Sequence, residues 1–384
     1  MNYHHIGKND STLIHRILCA IVFVVFCFLW LYFFQADLLT VVQHALSHGQ
    51  TSYQRLLGTV LVTAILQLLQ WGVCAVTRLR KRWHALTYLP SLVLLALMTA
   101  VSEDFHSRLS FSIWAWLAPL LLVLWLMAVF VARFMEANES VERTGLFSRQ
   151  TWTNMLTLAL MILLVTLTTN THAVFHYRTH VETALANGDY DEALRVGNRS
   201  HETDVSLTML RVYALSRQGL LGEQLFRYPV TGSTSDDLLP LNGRGHALLI
   251  PADTIYRHLG AKPAGPMSTR RYLDLLLQSG KATPAVGDYL LCGLLLDRDL
   301  DDFARNIGRF YELNESLPRH YREALVLYAH LRSHPVVVYH DAVTDTDWAD
   351  LQELERNYPD ATERKGKVME KYAGSYWYYY EYMK

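Results

Sequence analysis

Residues Ile17 to Phe34 form an unbroken run of 18 positions without a charge, 13 of them Leu, Ile, Val or Phe. At roughly −0.3 to −0.6 kcal/mol for each such residue near a helix centre, the run favours insertion into a bilayer by about 4 to 8 kcal/mol. A cleaved signal peptide has a shorter apolar core, about 7–15 residues, followed by a small-residue cut site. This run ends in Phe33-Phe34-Gln35, so it reads as a retained signal anchor. Four more apolar runs follow, at Leu56 to Thr77, Ala85 to Val101, Phe111 to Val131 and Trp152 to Thr169. Each approaches the roughly 20 residues that cross about 30 Å of hydrocarbon. The run from Ala85 is the shortest and contains Pro90, which membrane helices tolerate when neighbouring groups satisfy the freed carbonyl.

Charge is distributed to match. Only 18% of the chain is charged, against about 25% in a soluble domain. Residues 1–169 hold 11 Lys/Arg and 7 Asp/Glu, whereas residues 170–384 hold 24 and 29. This excludes a disordered chain, a small disulfide-stapled domain and a basic nucleic-acid binder. The short loops also set an orientation. Lys8, Arg16, Arg78, Arg80, Lys81, Arg82, Arg133, Arg143 and Arg149 fall on one side, and only Arg55 and Arg108 on the other. The N-terminus is therefore expected in the cytoplasm, and five crossings would carry residues 170–384 outside, which in a Gram-negative cell is the periplasm.

No charge lies inside the five runs, so nothing there marks a proton relay or ion path. Thr59, Thr63, Gln67 and Gln70 share one face of the second run. Side chains of this kind commonly hold helices together, with a substrate path as the alternative. Cys19, Cys27 and Cys74 occupy apolar positions and read as small core residues.

The second half has the apolar spacing of three and four that indicates helices; Val336-Val337-Val338-Tyr339 is the main β-branched exception. Two passages are alike, Ala186-Asn187-Gly188-Asp189-Tyr190-Asp191-Glu192-Ala193-Leu194 and Arg217-Gln218-Gly219-Leu220-Leu221-Gly222-Glu223-Gln224-Leu225, at a spacing of 31. Asp297-Arg298-Asp299-Leu300-Asp301-Asp302 is a third candidate. In each, a small or polar residue ends one helix and an acid opens the next, where the helix dipole favours it. The first passage resembles the turn of a tetratricopeptide repeat, whose period is 34. The expected fold is all-α: a five-helix transmembrane bundle over residues 1–169, with spans near 17–34, 56–77, 85–101, 111–131 and 152–169, then a TPR-like helical-hairpin solenoid over 170–384. Residues 229–266 hold five of the 11 prolines and five of the 20 glycines, and such a connection reads as a functional or flexible insert. Helices are expected to resume near 268–280, 284–296, 300–313, 318–333, 346–357 and 362–382.

The layout of an apolar multi-span N-terminus, then Phe226-Arg227-Tyr228-Pro229, Gly232-Ser233 and Leu238-Leu239-Pro240, then Leu317-Pro318-Arg319-His320-Tyr321 and a closing Ser375-Tyr376-Trp377-Tyr378-Tyr379-Tyr380, resembles a bacterial family of membrane proteins of unknown function, typical of gut and oral Gram-negative bacteria. The resemblance implies a membrane location and a helical outer region. It supplies no catalytic residue.

Chemistry-bearing patterns are few. His172, His176 and His180 are spaced i, i+4, i+8, but Ala173 and Tyr177 stand where a zincin places glutamate, so packed histidines are the commoner reading of this pattern and a metal site the alternative. The acids from Asp297 to Asp302 fail the EF-hand template, which needs glycine sixth and glutamate twelfth; Asp302 and Gly308 stand there. No Walker loop, nucleophile elbow or CxxC motif is present, and Cys292 lies among leucines. No cofactor is implied. The closing aromatics read either as a helix that seals the last hairpin or as a surface for membrane, partner or glycan. The expected role is a membrane-anchored scaffold in a bacterial inner membrane, bound to lipid and to a protein partner in the envelope and not to nucleic acid. The alternative is an envelope enzyme or accessory factor acting on lipid-linked glycans, with Asp236, Asp237, Arg244 and His246 as candidate proton-transfer groups. Together with Tyr376, Trp377 and Tyr379 they make up the candidate binding surface.

Overall fold

The computed structural model describes residues 13–101, 114–137, 148–169, 171–230, 232–241 and 243–383. The chain forms two compact units, Met1–His172 and Ala173–Lys384. Among the described residues all regular structure is helical.

In the first unit, α1 (Leu13–Leu29) continues through a π-helical turn, Trp30–Phe34, and is followed by α2 (Ala36–Leu46), α3 (Arg55–Thr77), α4 (Leu89–Thr99), α5 (Trp114–Ala137) and α6 (Arg149–Thr168). Among the described residues four helical stretches are long and apolar enough to cross a membrane: Leu13–Phe34, Arg55–Thr77, Trp116–Met135 and Arg149–Thr168. The run from Ala85 instead forms a 3₁₀ turn, His84–Tyr88, and the 11-residue α4. Pro90 sits in the first turn of α4, where its missing N–H breaks no intrahelical bond. The start of the expected 111–131 span lies outside the described residues.

Solvation is inverted in this unit. α3 exposes Leu57, Leu61, Leu68 and Val76 and buries Thr59, Thr63 and Gln70. That is how a helix packs when hydrocarbon surrounds it and polar groups join its neighbours. Gln70 Nε2 donates to Thr87 Oγ1 at 2.8 Å, and Ser91 Oγ to the Leu66 carbonyl at 2.8 Å. Fully buried Asn154 on α6 donates to the carbonyls of Lys81 and Gln150 and accepts from the Ala85 N–H at 2.7 Å. Cys19, Cys27 and Cys74 are buried, none of them in a disulfide.

The second unit contains α7 (Ala173–Ala186), α8 (Tyr190–Arg195), α9 (Val205–Gln218), α10 (Leu221–Gln224), α11 (Ala252–Leu259), α12 (Thr269–Gln278), α13 (Ala285–Leu296), α14 (Leu300–Ile307), α15 (Arg319–Leu331), α16 (Ala342–Asn357), α17 (Ala361–Tyr372) and α18 (Tyr376–Tyr382). The three similar passages fold alike. The N–H groups of Asp189, Leu220 and Asp299 reach back to the carbonyls of Ala184, Leu215 and Leu294, and those of Gly188, Gly219 and Arg298 to Leu185, Ser216 and Leu295. These are Schellman turns, with the left-handed position held by Gly188, Gly219 and, without the freedom of glycine, Arg298 (φ 58°). Asp189 and Asp299 then cap α8 and α14 by accepting the N–H of Glu192 and Asp302.

α9, α13 and α15 are buried around almost their whole circumference. The Pro/Gly-rich insert supplies part of that cover. Its described residues bury Leu238, Leu239, Ile250, Ile255 and Leu259 in the core, and its 3₁₀ turn Ser235–Asp237 and α11 pack on α13. Gly293 on α13 admits the turn, because a Cβ there would meet Ser235 Cβ at 3.2 Å. Glu182 on α7 pins the insert further, its Oε2 accepting the N–H groups of Leu248 and Leu249 at 2.7 and 2.8 Å. Where one helix was expected over 362–382 there are two, broken at Ala373-Gly374-Ser375. Ser375 caps α18 by accepting the Tyr378 N–H. Residues 300–313 are helical only as far as Ile307, and Val336–Tyr339 runs as irregular chain.

Candidate functional site

The candidate proton-transfer groups of the insert hold it in place. Asp236 Oδ1 accepts the Thr269 N–H at 2.8 Å at the start of α12. Asp237 is buried and closes a capping box with Thr234, while Arg244 Nη1 donates to its other oxygen at 2.9 Å. The His246 N–H donates to Ser206 Oγ on α9 at 3.0 Å. The structure thus brings Asp237 and Arg244 together and turns Asp236 to a different element, so the two carboxylates do not face a common space.

The aromatic tail is interior. Tyr376, Trp377 and Tyr379 are 0%, 2% and 3% exposed. Tyr376 and Tyr379 donate their hydroxyls to the carbonyls of Leu295 and Leu296, and Trp377 Nε1 donates to the Glu323 carbonyl at 2.7 Å. Their rings meet Phe226 and Trp348. As a binding surface these three are corrected to a seal on the last helices, because each polar tip already has a partner inside the fold. Arg298 completes the seal, donating to the carbonyls of Tyr379 and Met383.

Beneath the seal lies a buried polar node that the sequence reading missed. Glu323 accepts Arg319 Nε at 2.7 Å, His320 Nδ1–H at 3.0 Å and the Tyr376 N–H at 2.6 Å. His320 Nε2 in turn accepts the Phe226 N–H at 3.3 Å, which fixes its proton on Nδ1. Burial by itself raises the Glu323 carboxyl, but the hydrogen bonds from His320 and the Tyr376 N–H and the charge of Arg319 outweigh it and hold the group below the ordinary carboxylate range. Leu317-Pro318-Arg319-His320 was visible only as a motif, without its partners. Nearby, Asp288 accepts the hydroxyls of Tyr311 and Tyr321 at 2.7 and 2.8 Å, and burial raises its pKa against them. Cys292 is wholly buried beside Tyr321, and burial raises its thiol as well, away from nucleophilic use.

The histidine and acid clusters have local partners. His180 Nε2 lies 3.5 Å from Glu192. Asp301 pairs with Arg332, and Asp302 with Arg270 and Arg305. Hydrogen bonds from those two arginines pull Asp302 down to about 2. No group of three His, Cys, Asp or Glu that could hold a metal occurs among the described residues.

An open, chemically mixed feature among the described residues of this unit is a groove of about 600 Å³ between α15, α16 and α18. Leu327 and Leu331 give it an apolar wall, Trp348 its floor, and His330, Gln352, Arg356 and Glu381 its polar edge. The Trp348 ring lies 5.5 Å from His330 and 5.3 Å from Trp377. His330 Nδ1–H donates to the Val326 carbonyl at 2.9 Å, and Arg356 Nε to the Gln352 carbonyl at 3.1 Å. Trp348, Gln352 and Arg356 follow one another at i, i+4, i+8, and Leu327, His330 and Leu331 at i, i+3, i+4. Those spacings were the available signal.

A family of unknown function (DUF6057) matches residues 266–383, the stretch that contains this groove and Arg319, His320, Glu323 and Tyr376 of the node. No curated protein and no solved structure matches the chain.

Proposed function

We propose that this protein is a membrane-anchored docking module. Its N-terminal unit sits in a bacterial inner membrane, and its C-terminal unit offers a helical surface to a protein partner in the envelope. The observation that carries the reading is the groove of Leu327, Leu331 and Trp348 rimmed by Arg356 and Glu381. An apolar side chain of a partner would seat on the wall and floor while the two opposite charges orient the segment that bears it. An aromatic floor with arginine at the edge is the composition that concentrates binding energy at interfaces. The recurring turns at Gly188, Gly219 and Arg298 support a TPR-like hairpin unit as the scaffold for this surface.

In the same reading the first unit crosses the bilayer five times, with the N-terminus cytoplasmic and the C-terminal unit periplasmic. The crossing that adds to the four membrane-length helices, third in chain order, is His84–Thr99. Five residues of 3₁₀ turn and 11 of α-helix reach roughly 26 Å at ~2.0 and ~1.5 Å per residue, close to the hydrocarbon thickness. Its burial against α3, α5 and α6 supports a place at the centre of a bundle.

The test is site-specific photo-cross-linking from position 352 of the full-length protein in intact membranes. A discrete adduct that disappears in Arg356→Glu and in Leu331→Asp is expected. An adduct indifferent to both substitutions, or none from any groove position, refutes the docking role. A reporter fused after Lys384 that works only in the cytosol refutes the topology.

A further inference from the structure

The connection between the first two membrane-length helices folds back on itself. After the π-helical turn the chain runs through α2, and residues 47–54 return it to the start of α3. α2, this loop, the first turns of α3 and the end of α4 enclose an open cleft of about 810 Å³. Its body is apolar, with Leu39, Leu46, Leu61, Val62 and Leu97 on three different helices. Its polar lining is confined to uncharged groups near the loop, chiefly Gln43, Ser47, Thr51 and Gln54, and among the described residues no Lys, Arg, Asp or Glu lines it.

The wall nearest the loop is built by one close approach. A Cβ at Gly58 would lie 2.2 Å from the Tyr53 ring, so the glycine is what lets Tyr53 lie against α3 and shape the cleft. Tyr53 and Thr59 then pair through their hydroxyls at 3.4 Å. Arg55 stacks over the Tyr32 ring at 4.8 Å and donates to the Tyr32 carbonyl at 2.8 Å. Together with Trp30, these side chains are of the type that gathers where hydrocarbon meets water. The cleft therefore begins near such a boundary and extends along the apolar part of α3.

An apolar space of this size does not persist as a void, since lost contacts grow with cavity volume. Water would find few hydrogen-bonding partners on its body. We infer that the cleft is a binding site for the acyl chain of a membrane lipid whose polar portion is uncharged, the chain lying along Leu61, Val62 and Leu97 and the polar portion meeting Gln43, Thr51 and Gln54. Bilayer chains are as apolar as this lining, so the chain alone gives little preference over bulk lipid. Selectivity must come from the rim, whose described lining residues are uncharged and offer no ion-pairing group to a charged headgroup. The inference is independent of the groove on the C-terminal unit.

The test places the full-length protein in phosphatidylcholine vesicles doped with diacylglycerol carrying a photoreactive diazirine in its acyl chain, and maps the label by mass spectrometry. Labelling of α2, residues 47–54 and the end of α4 should exceed that of lipid-facing α5, and Leu61→Trp, which fills the cleft, should abolish the excess. The milder rim pair Gln43→Ala and Thr51→Ala should weaken it by about threefold for each hydrogen bond lost. A diazirine-labelled phosphatidylglycerol should label the cleft less than the diacylglycerol does. Label no denser in the cleft than on α5, or unchanged by both the filling and the rim substitutions, overturns the site. Equal labelling by the anionic lipid overturns the assignment of an uncharged polar portion.

Discussion

Replacing Glu323 by alanine removes the acceptor for three donors at once: Arg319 Nε, His320 Nδ1–H and the Tyr376 N–H. Two of these partners, His320 and the Tyr376 backbone, lie inside the protein, where water cannot replace the carboxylate. Leaving a buried donor unpaired costs about 1–3 kcal/mol, so the two together cost on the order of 2–6 kcal/mol, a large part of the roughly 5–15 kcal/mol that stabilises a typical domain. In a domain of 150–250 residues each kcal/mol shifts the midpoint by about 2–4 °C, so a fall of roughly 4–24 °C is expected. Cys292 is a built-in reporter, because it is buried and is the one cysteine of residues 170–384. Thermal labelling of its thiol in the full-length protein follows the C-terminal unit alone. Glu323→Gln should lose most of the same stability, because both carboxylate oxygens face donors and an amide NH₂ would oppose one of them. The carboxyl is held below its unfolded value. Its contribution is therefore complete above about pH 4.3, the unfolded value, and is lost as pH falls through the lower folded value. A labelling midpoint within the ~2 °C that 1 kcal/mol represents, for both variants, refutes the account of this node.

Two further predictions use the same readout. Gly222→Ala would place a Cβ 2.5 Å from the Tyr321 ring; overpacking of this kind costs about 1–3 kcal/mol, against at most about 1 kcal/mol gained in helix propensity, so a net loss is expected and a gain contradicts it. Asp302 is held at about 2 by Arg270 and Arg305, so its contribution is full above the unfolded value of about 3.9 and is lost as pH falls through about 2. Asp302→Asn should flatten the pH dependence of the midpoint over that window, and an unchanged slope refutes the pairing.

The candidate site was legible to different depths. Asp189 and Asp299 were readable as helix starts because a cap depends on residues three apart. Gly188 and Gly219 were readable because a left-handed helix end favours glycine locally, and Arg298 was hidden because it takes the same conformation without that signature. Asp236 and Asp237 looked like an acid pair, yet adjacent side chains can be drawn to different elements, one to Thr269 and the other to Arg244. Tyr376, Trp377 and Tyr379 looked equally suited to a surface or an interior. Their partners, Leu295, Leu296 and Glu323, lie more than 50 positions away.

By itself the amino-acid order determined that the chain is helical, that its first half holds stretches apolar enough to cross a bilayer, and where some helices of the second half, such as α12, α13 and α15, begin and end. Apolar periodicity, caps and hydrophobic length act within a few turns of chain and are written in neighbouring residues. The tertiary structure decided that the insert from Pro229 covers α13, that Glu323 joins α15 to α18, and which side chains line the groove at Trp348 and the cleft at Tyr53. Each of those depends on which distant surfaces meet, and a linear pattern of residue types does not encode that pairing.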